Sequence, residues 1–156
     1  MKTLAELHAE RGGGRMWCGP TLVALVAGVS YERAEALIRA ADPEHSLNRA
    51  PVMRGTHWRH LVLALVRAGF RVGEYQLSNT APGGRRPSLL RIARMLPIGL
   101  FMIRVTNHFL LLRVTKEGIQ VIDNHGDVRS VFSGAARNRR RVTHCAMILA
   151  SEGTAK

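Results

Sequence analysis

A cysteine at the start of an apolar segment is the first residue of this sequence that could do covalent chemistry. Cys18 stands in Arg15-Met16-Trp17-Cys18-Gly19-Pro20, and the apolar run after it ends at Gly28. A thiol attacks as its thiolate, which the unpaired N–H groups and positive dipole end of a helix start stabilise. The backbone N–H of Cys18 would also be one half of an oxyanion hole. Because free cysteine is commonly buried as a small hydrophobe, Cys18 indicates catalysis only together with a base.

A histidine and an aspartate at the ends of two apolar segments supply the partners. His108 begins the run His108-Phe109-Leu110-Leu111-Leu112, and Asp123 ends the run Val121-Ile122-Asp123. If residues 108–123 form a hairpin that turns near Lys116-Glu117-Gly118, position 108 lies roughly opposite position 123. His108 is then the predicted general base, and Asp123 orients its ring. Asn124 is the alternative residue for the orienting role.

Other histidines and the second cysteine compete less well for these roles. His125 and His144 are rival bases, but His144 and its neighbour Cys145 would point to opposite faces of a strand. His57 and His60 are predicted to lie on the polar face of a helix. Zinc-site spacings such as Cys-x-x-Cys are not present, so we expect free thiols and neither a metal nor another cofactor.

The first half of the chain has the periodicity and capping signals of helices. Gly12-Gly13-Gly14 separates a helical N-terminal segment from Cys18. A loop is predicted for residues 42–55. Three further helices are predicted: a buried one over Pro20–Ala27, an amphipathic one capped by Ser30, and one capped by Thr56 and closed by Gly69.

The second half of the chain has strand-length apolar runs. A short strand over Phe70–Tyr75 and a helix from Ser88 to Met95 come first. The runs that follow are Ile98 to Val105, Phe109 to Val114, Gly118 to Asp123 and Val142 to Leu149. Helices followed by strands predict an α+β fold, with N-terminal helices packed on a C-terminal antiparallel sheet in a single domain over residues 1–156.

Composition bounds the class of protein and its partners. The chain has 156 residues, of which 46% are hydrophobic, and a net charge of +12. No run reaches the ~18 apolar residues that span a bilayer, and the N-terminus lacks a signal-peptide pattern. We therefore expect a cytoplasmic protein, or a virion-associated one if it is phage-encoded. The positive charge would attract nucleic acid or an acidic partner, and the best candidate residues are Arg137, Arg139, Arg140 and Arg141.

Together, Cys18-Gly19-Pro20, Asn107-His108-Phe109 and Asp123-Asn124 resemble the papain-like superfamily of cysteine peptidases. The resemblance is greatest to its compact bacterial and phage members related to the double-glycine peptidases of bacteriocin exporters. It covers about residues 12 to 149. It implies a papain-like fold whose central helix opens at Cys18, and a Cys18-His108-Asp123 triad that hydrolyses a peptide or isopeptide bond through a thioester.

One position departs from the pattern of the family. The family usually has a glutamine about six residues before the cysteine, where its amide completes the oxyanion hole, and this chain has Gly12 there. Arg15 or the indole N–H of Trp17 is then the expected second donor. Loss of one donor typically costs about 10²–10³ in rate. The alternative hypothesis is therefore a weakly active or inactive papain-like scaffold that binds nucleic acid or an acidic partner.

Overall fold

The computed structural model describes residues 1–77, 85–125, 128–130 and 140–151, without the side chains of 128–130. The chain divides into two units, Met1–Val72 with the C-terminal segment from Ala150, and Gly73–Leu149. The first contains five helices, and the second contains one helix and most of the sheet among the residues described. This order of elements confirms the predicted α+β class. The prediction of a single domain over residues 1–156 stays a prediction.

The helices of the first unit begin close to the residues that the sequence indicates. Ser30 caps its helix as predicted, since its side chain accepts a hydrogen bond from the Arg33 N–H. The loop predicted for residues 42–55 contains one short helical turn. The helices are α1 (Leu4–Glu10), α2 (Cys18–Ala27), α3 (Tyr31–Ala41), α4 (Ser46–Arg49) and α5 (Trp58–Arg67).

The prediction that Thr56 caps α5 is wrong. The cap is His57, whose backbone is extended and whose side chain makes no capping hydrogen bond. Thr56 instead packs against α2, because a Cβ built on Gly19 would lie only 2.6 Å from the Thr56 methyl carbon. Packing therefore decides where this helix begins, and it explains why the residue after Cys18 is a glycine.

Helix α2 is the buried centre of the first unit, as its uniformly apolar sequence predicts. Its residues from Gly19 to Val26 are all buried, and the helix ends at Gly28 in the left-handed conformation. Buried side chains of the surrounding helices share this core with it: Leu4, Leu7, Ala34, Ile38, Leu61, Ala64 and Leu65. In the described part of the chain, no helix has the length and apolarity needed to cross a membrane.

The strands form one sheet in the order β1-β6-β2-β3-β4-β5. Strands β2 to β5 are joined as successive antiparallel pairs, and β6 returns to pair antiparallel with β2. Strand β5 was not predicted, because it has only three residues in a polar stretch. The elements are β1 (Phe70–Glu74), α6 (Leu89–Met95), β2 (Gly99–Val105), β3 (His108–Val114), β4 (Ile119–Ile122), β5 (Val128–Ser130) and β6 (Val142–Ala150).

Alternation along the strands builds the core of the second unit. Helix α6, capped by Ser88 as predicted, covers one sheet face with Leu89, Ile92 and Ala93. The strand residues on that face are Phe101, Ile103, Val105, Leu110, Leu112, Val114, Val142 and Cys145. A strand places alternate residues on the same face. Met102, Phe109 and Leu111, on the opposite face, are buried as well, which is consistent with the continuous apolar runs in the sequence.

Candidate active site

Cys18 is the first residue of α2, where the sequence analysis placed it. The preceding residue, Trp17, is an extended N-cap without a side-chain capping hydrogen bond. The Cys18 side chain lies at a partly exposed position, whereas the residues that follow it in α2 are buried. The thiol therefore lies at the positive end of a buried helix, an environment that stabilises a thiolate.

The segment that leads to Cys18 is held by two arginines. Arg11 forms an ion pair with Glu32 at 2.8 Å, and its guanidinium also donates to the carbonyl oxygen of Arg15 at 3.3 Å. The guanidinium of Arg15 lies 4.2 Å from the centre of the Trp17 ring, a cation–π contact. The two predicted oxyanion donors are thus neighbours, and their role in catalysis stays a prediction.

His108, which is partly buried, and Asp123, which is buried, form a pair in the second unit. The Nε2 atom of His108 lies 2.9 Å from Oδ1 of Asp123, and these side chains are only 13% and 4% exposed. A carboxylate accepts hydrogen bonds, so the pair places the ring proton on Nε2. Proton transfer to and from a substrate would then use Nδ1 of His108. Asp123, rather than the alternative Asn124, makes this 2.9 Å contact.

The contact arises from the predicted hairpin with a different register. Leu111 pairs with Ile122, so the same register places residue 123 opposite residue 110 rather than opposite residue 108. Residues 108 and 110 lie on the same face of β3, which is why the two side chains still meet. Asn107, in the left-handed conformation with φ 56°, immediately precedes the strand that begins at His108.

The rival residues do not form an alternative site. Cys145 is 1% exposed within the core of the second unit, and burial raises the pKa of its thiol to about 12. Its neighbour His144 contacts the hydroxyl of Thr143 at 3.1 Å. The ring of His125 stacks on His108 with centroids 5.9 Å apart, so this rival base lies beside the predicted one.

His60 is buried rather than on a polar face as predicted, whereas His57 is exposed, and both rings lie in a cluster. Their rings and that of His45 are in mutual edge contact, with centroids 4.6 to 5.4 Å apart. His60 is buried, its Nδ1 lies 3.3 Å from the Asn48 amide nitrogen, and its Nε2 lies 3.5 Å from the Asp42 carboxylate. No group of three or more His, Cys, Asp or Glu is arranged to hold a metal ion within the described ranges.

This cluster makes stability depend on pH. Burial is the main cause that lowers the pKa of His60; the neighbouring His45 and His57 lower it further, whereas Asp42 opposes them. As pH falls, the unfolded chain therefore binds a proton at this histidine at a higher pH than the folded chain does, so the free energy of unfolding decreases as pH drops below about 6.5.

We expect His60→Gln to reduce the loss of unfolding free energy between pH 7.5 and 5.5, as measured by urea denaturation. Burial also lowers the pKa of His144, so part of the slope should remain. An unchanged slope would contradict the assignment.

The predicted basic segment is only partly described. Arg137 and Arg139 lie outside the described residues. Arg140 and Arg141 are exposed, and the guanidinium of Arg141 donates to the carbonyl of Arg86 at 2.9 Å. Binding of nucleic acid or of an acidic partner by these arginines stays a prediction.

Comparison with known proteins identifies the fold. No family model matches this chain, and no curated protein matches its sequence. A solved double glycine motif protease of an AMS/PCAT transporter, in complex with the leader peptide, superposes with a TM-score of 0.58 at 13% identity. That match covers 88% of this chain and 87% of the other. The chain has the papain-like fold of double-glycine peptidase domains.

A second solved structure agrees with the first. The peptidase domain of Streptococcus ComA, a bifunctional ABC transporter involved in quorum sensing, superposes with a TM-score of 0.54 at 17% identity. This match covers 86% of this chain and 91% of the other. The papain-like fold predicted from three short motifs is therefore confirmed.

Sequence reasoning did not single out two residues near Cys18. The sequence pattern places Tyr31 at a helix start and Thr21 within an apolar run, and it assigns neither residue a further role. Both are 2% exposed, and both hydrogen-bond to the backbone of Trp17. A buried hydroxyl in an otherwise apolar segment is a signal that could have found Thr21, since buried hydroxyls need partners.

Proposed function

We propose that this protein is a cysteine peptidase with Cys18 as the nucleophile, His108 as general acid and base, and Asp123 as the orienter. The observation that carries the proposal is the 2.9 Å contact between the partly buried His108 side chain and the buried Asp123 side chain. A cysteine outside any disulfide, at the start of a buried helix, supports it. The solved neighbours support peptidase chemistry as the activity of this fold.

The reaction proceeds in two steps. The Cys18 sulfur attacks the substrate carbonyl carbon, and Nδ1 of His108 takes the thiol proton. The C–N bond then breaks, the amine leaves with that proton, and a thioester remains on Cys18. Water attacks the thioester with His108 as the base, which releases the carboxylic acid and restores the thiol. Throughout, the Asp123 carboxylate stabilises the imidazolium form of His108.

We propose a peptide with two consecutive glycines before the scissile bond as the first substrate to test. The reason is that one solved neighbour is a double glycine motif protease in complex with the leader peptide. Glycine lacks a side chain, so a narrow cleft would admit a Gly-Gly segment and exclude larger residues. A matched peptide with alanine at both positions is the control.

The experiment is to incubate the protein with both peptides, quench in acid, and locate adducts by mass spectrometry. We expect cleavage after the second glycine, with the acyl fragment attached transiently to Cys18 as a thioester. The alanine peptide should be cleaved at least about tenfold more slowly. Cleavage without an adduct on Cys18, or an adduct on Cys145, would contradict the mechanism. Equal cleavage of the two peptides would contradict only the glycine preference.

A further inference from the structure

The peptide groups on both sides of Trp17 are held by buried side chains. The Trp17 N–H donates a hydrogen bond to the Tyr31 hydroxyl at 2.8 Å. The Trp17 carbonyl accepts two, one from the Thr21 hydroxyl at 2.8 Å and one from the Thr21 N–H at 3.1 Å. Tyr31 and Thr21 are each 2% exposed, so water competes little for these contacts.

The two hydrogen bonds to the Trp17 carbonyl set the direction of the Cys18 N–H. A peptide group is planar and trans, so its carbonyl and its N–H point in opposite directions. The carbonyl of Trp17 and the N–H of Cys18 belong to the same peptide group. Because the carbonyl points into α2 toward Thr21, the Cys18 N–H points out of the N-terminal end of the helix. Reversing that N–H would break both hydrogen bonds to the Trp17 carbonyl.

We infer that Thr21 and Tyr31 are positioning residues for the oxyanion hole. Thr21 holds the Trp17–Cys18 peptide with its N–H toward the attacked carbonyl oxygen, and Tyr31 holds the Met16–Trp17 peptide that precedes it. The inference rests on the proposed function. It matters more here than in a site with two strong donors, since Gly12 stands where the family usually has its glutamine. A reoriented donor would remove much of the stabilisation of the oxyanion.

The surroundings of Tyr31 fit this role. The Arg11 guanidinium lies 4.4 Å from the centre of the Tyr31 ring and fixes it from one face. Burial raises the pKa of the Tyr31 hydroxyl, so the group stays neutral at working pH. Its oxygen accepts the Trp17 N–H. Tyr31 is also the first residue of α3, so a rigid element carries it.

A purely structural role is the competing explanation, because threonine hydroxyls in helices often bond to the carbonyl four residues earlier. The positioning role and the purely structural role predict different effects on two reactions of Cys18. Alkylation of Cys18 by iodoacetamide needs the thiolate but no oxyanion hole. A peptide aldehyde ending in two glycines needs both, because attack of the sulfur on its carbonyl carbon moves an electron pair onto the oxygen.

The experiment compares Thr21→Val and Tyr31→Phe with wild type, and Thr21→Ser is the matched control that keeps the hydroxyl. For each variant we would measure two quantities: the inhibition constant of the aldehyde and the rate of alkylation by iodoacetamide. The matching peptide alcohol, which has no carbonyl, corrects the inhibition constant for contacts of the peptide alone. We expect Thr21→Val and Tyr31→Phe each to weaken aldehyde binding about tenfold, with alkylation unchanged within about twofold. Thr21→Ser should bind the aldehyde as wild type does. Thermal denaturation checks that each variant is folded.

Several results would overturn the inference. Unchanged aldehyde binding in both variants would show that the two hydroxyls do not position the donor. A parallel loss of alkylation and aldehyde binding would assign them a structural role. If wild-type protein is alkylated at Cys18 but does not bind the aldehyde, the inferred oxyanion hole is wrong, whereas the assignment of Cys18 as the nucleophile stands. A Cys18 that resists alkylation would end the proposed function, and the inference with it.

Discussion

Replacement of Cys18 with alanine should abolish peptide hydrolysis, with a loss of kcat/KM of at least about 10³-fold. The substitution removes the only group that the proposed mechanism uses to attack the carbonyl. The partly exposed side chain leaves little packing to lose, so the folded state should persist. The measurement is a steady-state assay with the Gly-Gly peptide, together with a thermal denaturation curve.

Cys145→Ala is the control for this result. Its thiol is buried and its pKa is about 12, so it should neither react with iodoacetamide at pH 7 nor contribute to turnover. That variant should lose stability, because the thiol packs in the core of the second unit, but its Cys18 should be labelled at the wild-type rate. Labelling of Cys145 in place of Cys18 would refute the assignment of the nucleophile.

Replacement of Asp123 is expected to have the second-largest effect. Asp123→Ala should lower kcat/KM by about 10²- to 10⁴-fold, since His108 loses the carboxylate that fixes its tautomer and stabilises its charged form. Asp123→Asn keeps an oxygen that can accept from Nε2, so a loss of only about tenfold is expected.

The pH profile separates orientation from charge. A carboxylate next to an imidazolium favours the charged form, so removing it lets His108 lose its proton at lower pH. The acid limb of kcat/KM, where protonation of His108 removes the base, should therefore move to lower pH in both variants, whereas only Asp123→Ala should lose most of the rate. If Asp123→Asn shows wild-type rates and an unshifted profile, Asp123 is not the orienter. His108→Ala should suppress turnover and Cys18 alkylation together.

Much of the fold could be predicted because its signals are local. A uniformly apolar segment with proline near its start and glycine at its end indicates a buried helix, and α2 is one. Ser30 and Ser88 cap their helices because a short hydroxyl can reach the N–H three residues later. The strands that contain Phe101 and Leu112 were indicated by continuous apolar runs of strand length. The three-residue strand β5 lacks such a signal.

The places where prediction failed depend on contacts between distant residues. Thr56 has the composition of an N-cap, but its methyl group packs against Gly19, and the helix begins at Trp58 instead. The rings of His57 and His60 contact the ring of His45, which is the N-cap of α4. A local pattern contains no information about such neighbours, because tertiary packing overrides propensity.

For the candidate site, the sequence by itself determined that Cys18 opens a helix and that His108 and Asp123 end neighbouring strands. It did so because helix caps, strand ends and hairpin turns are encoded within a few residues. Only the tertiary structure decided that Asp123, rather than Asn124, contacts Nε2 of His108, and that the hydroxyls of Thr21 and Tyr31 hold the backbone at Trp17. Strand register, and hydrogen bonds between residues far apart in the chain, come from the packing of whole elements and leave no local signature in the sequence.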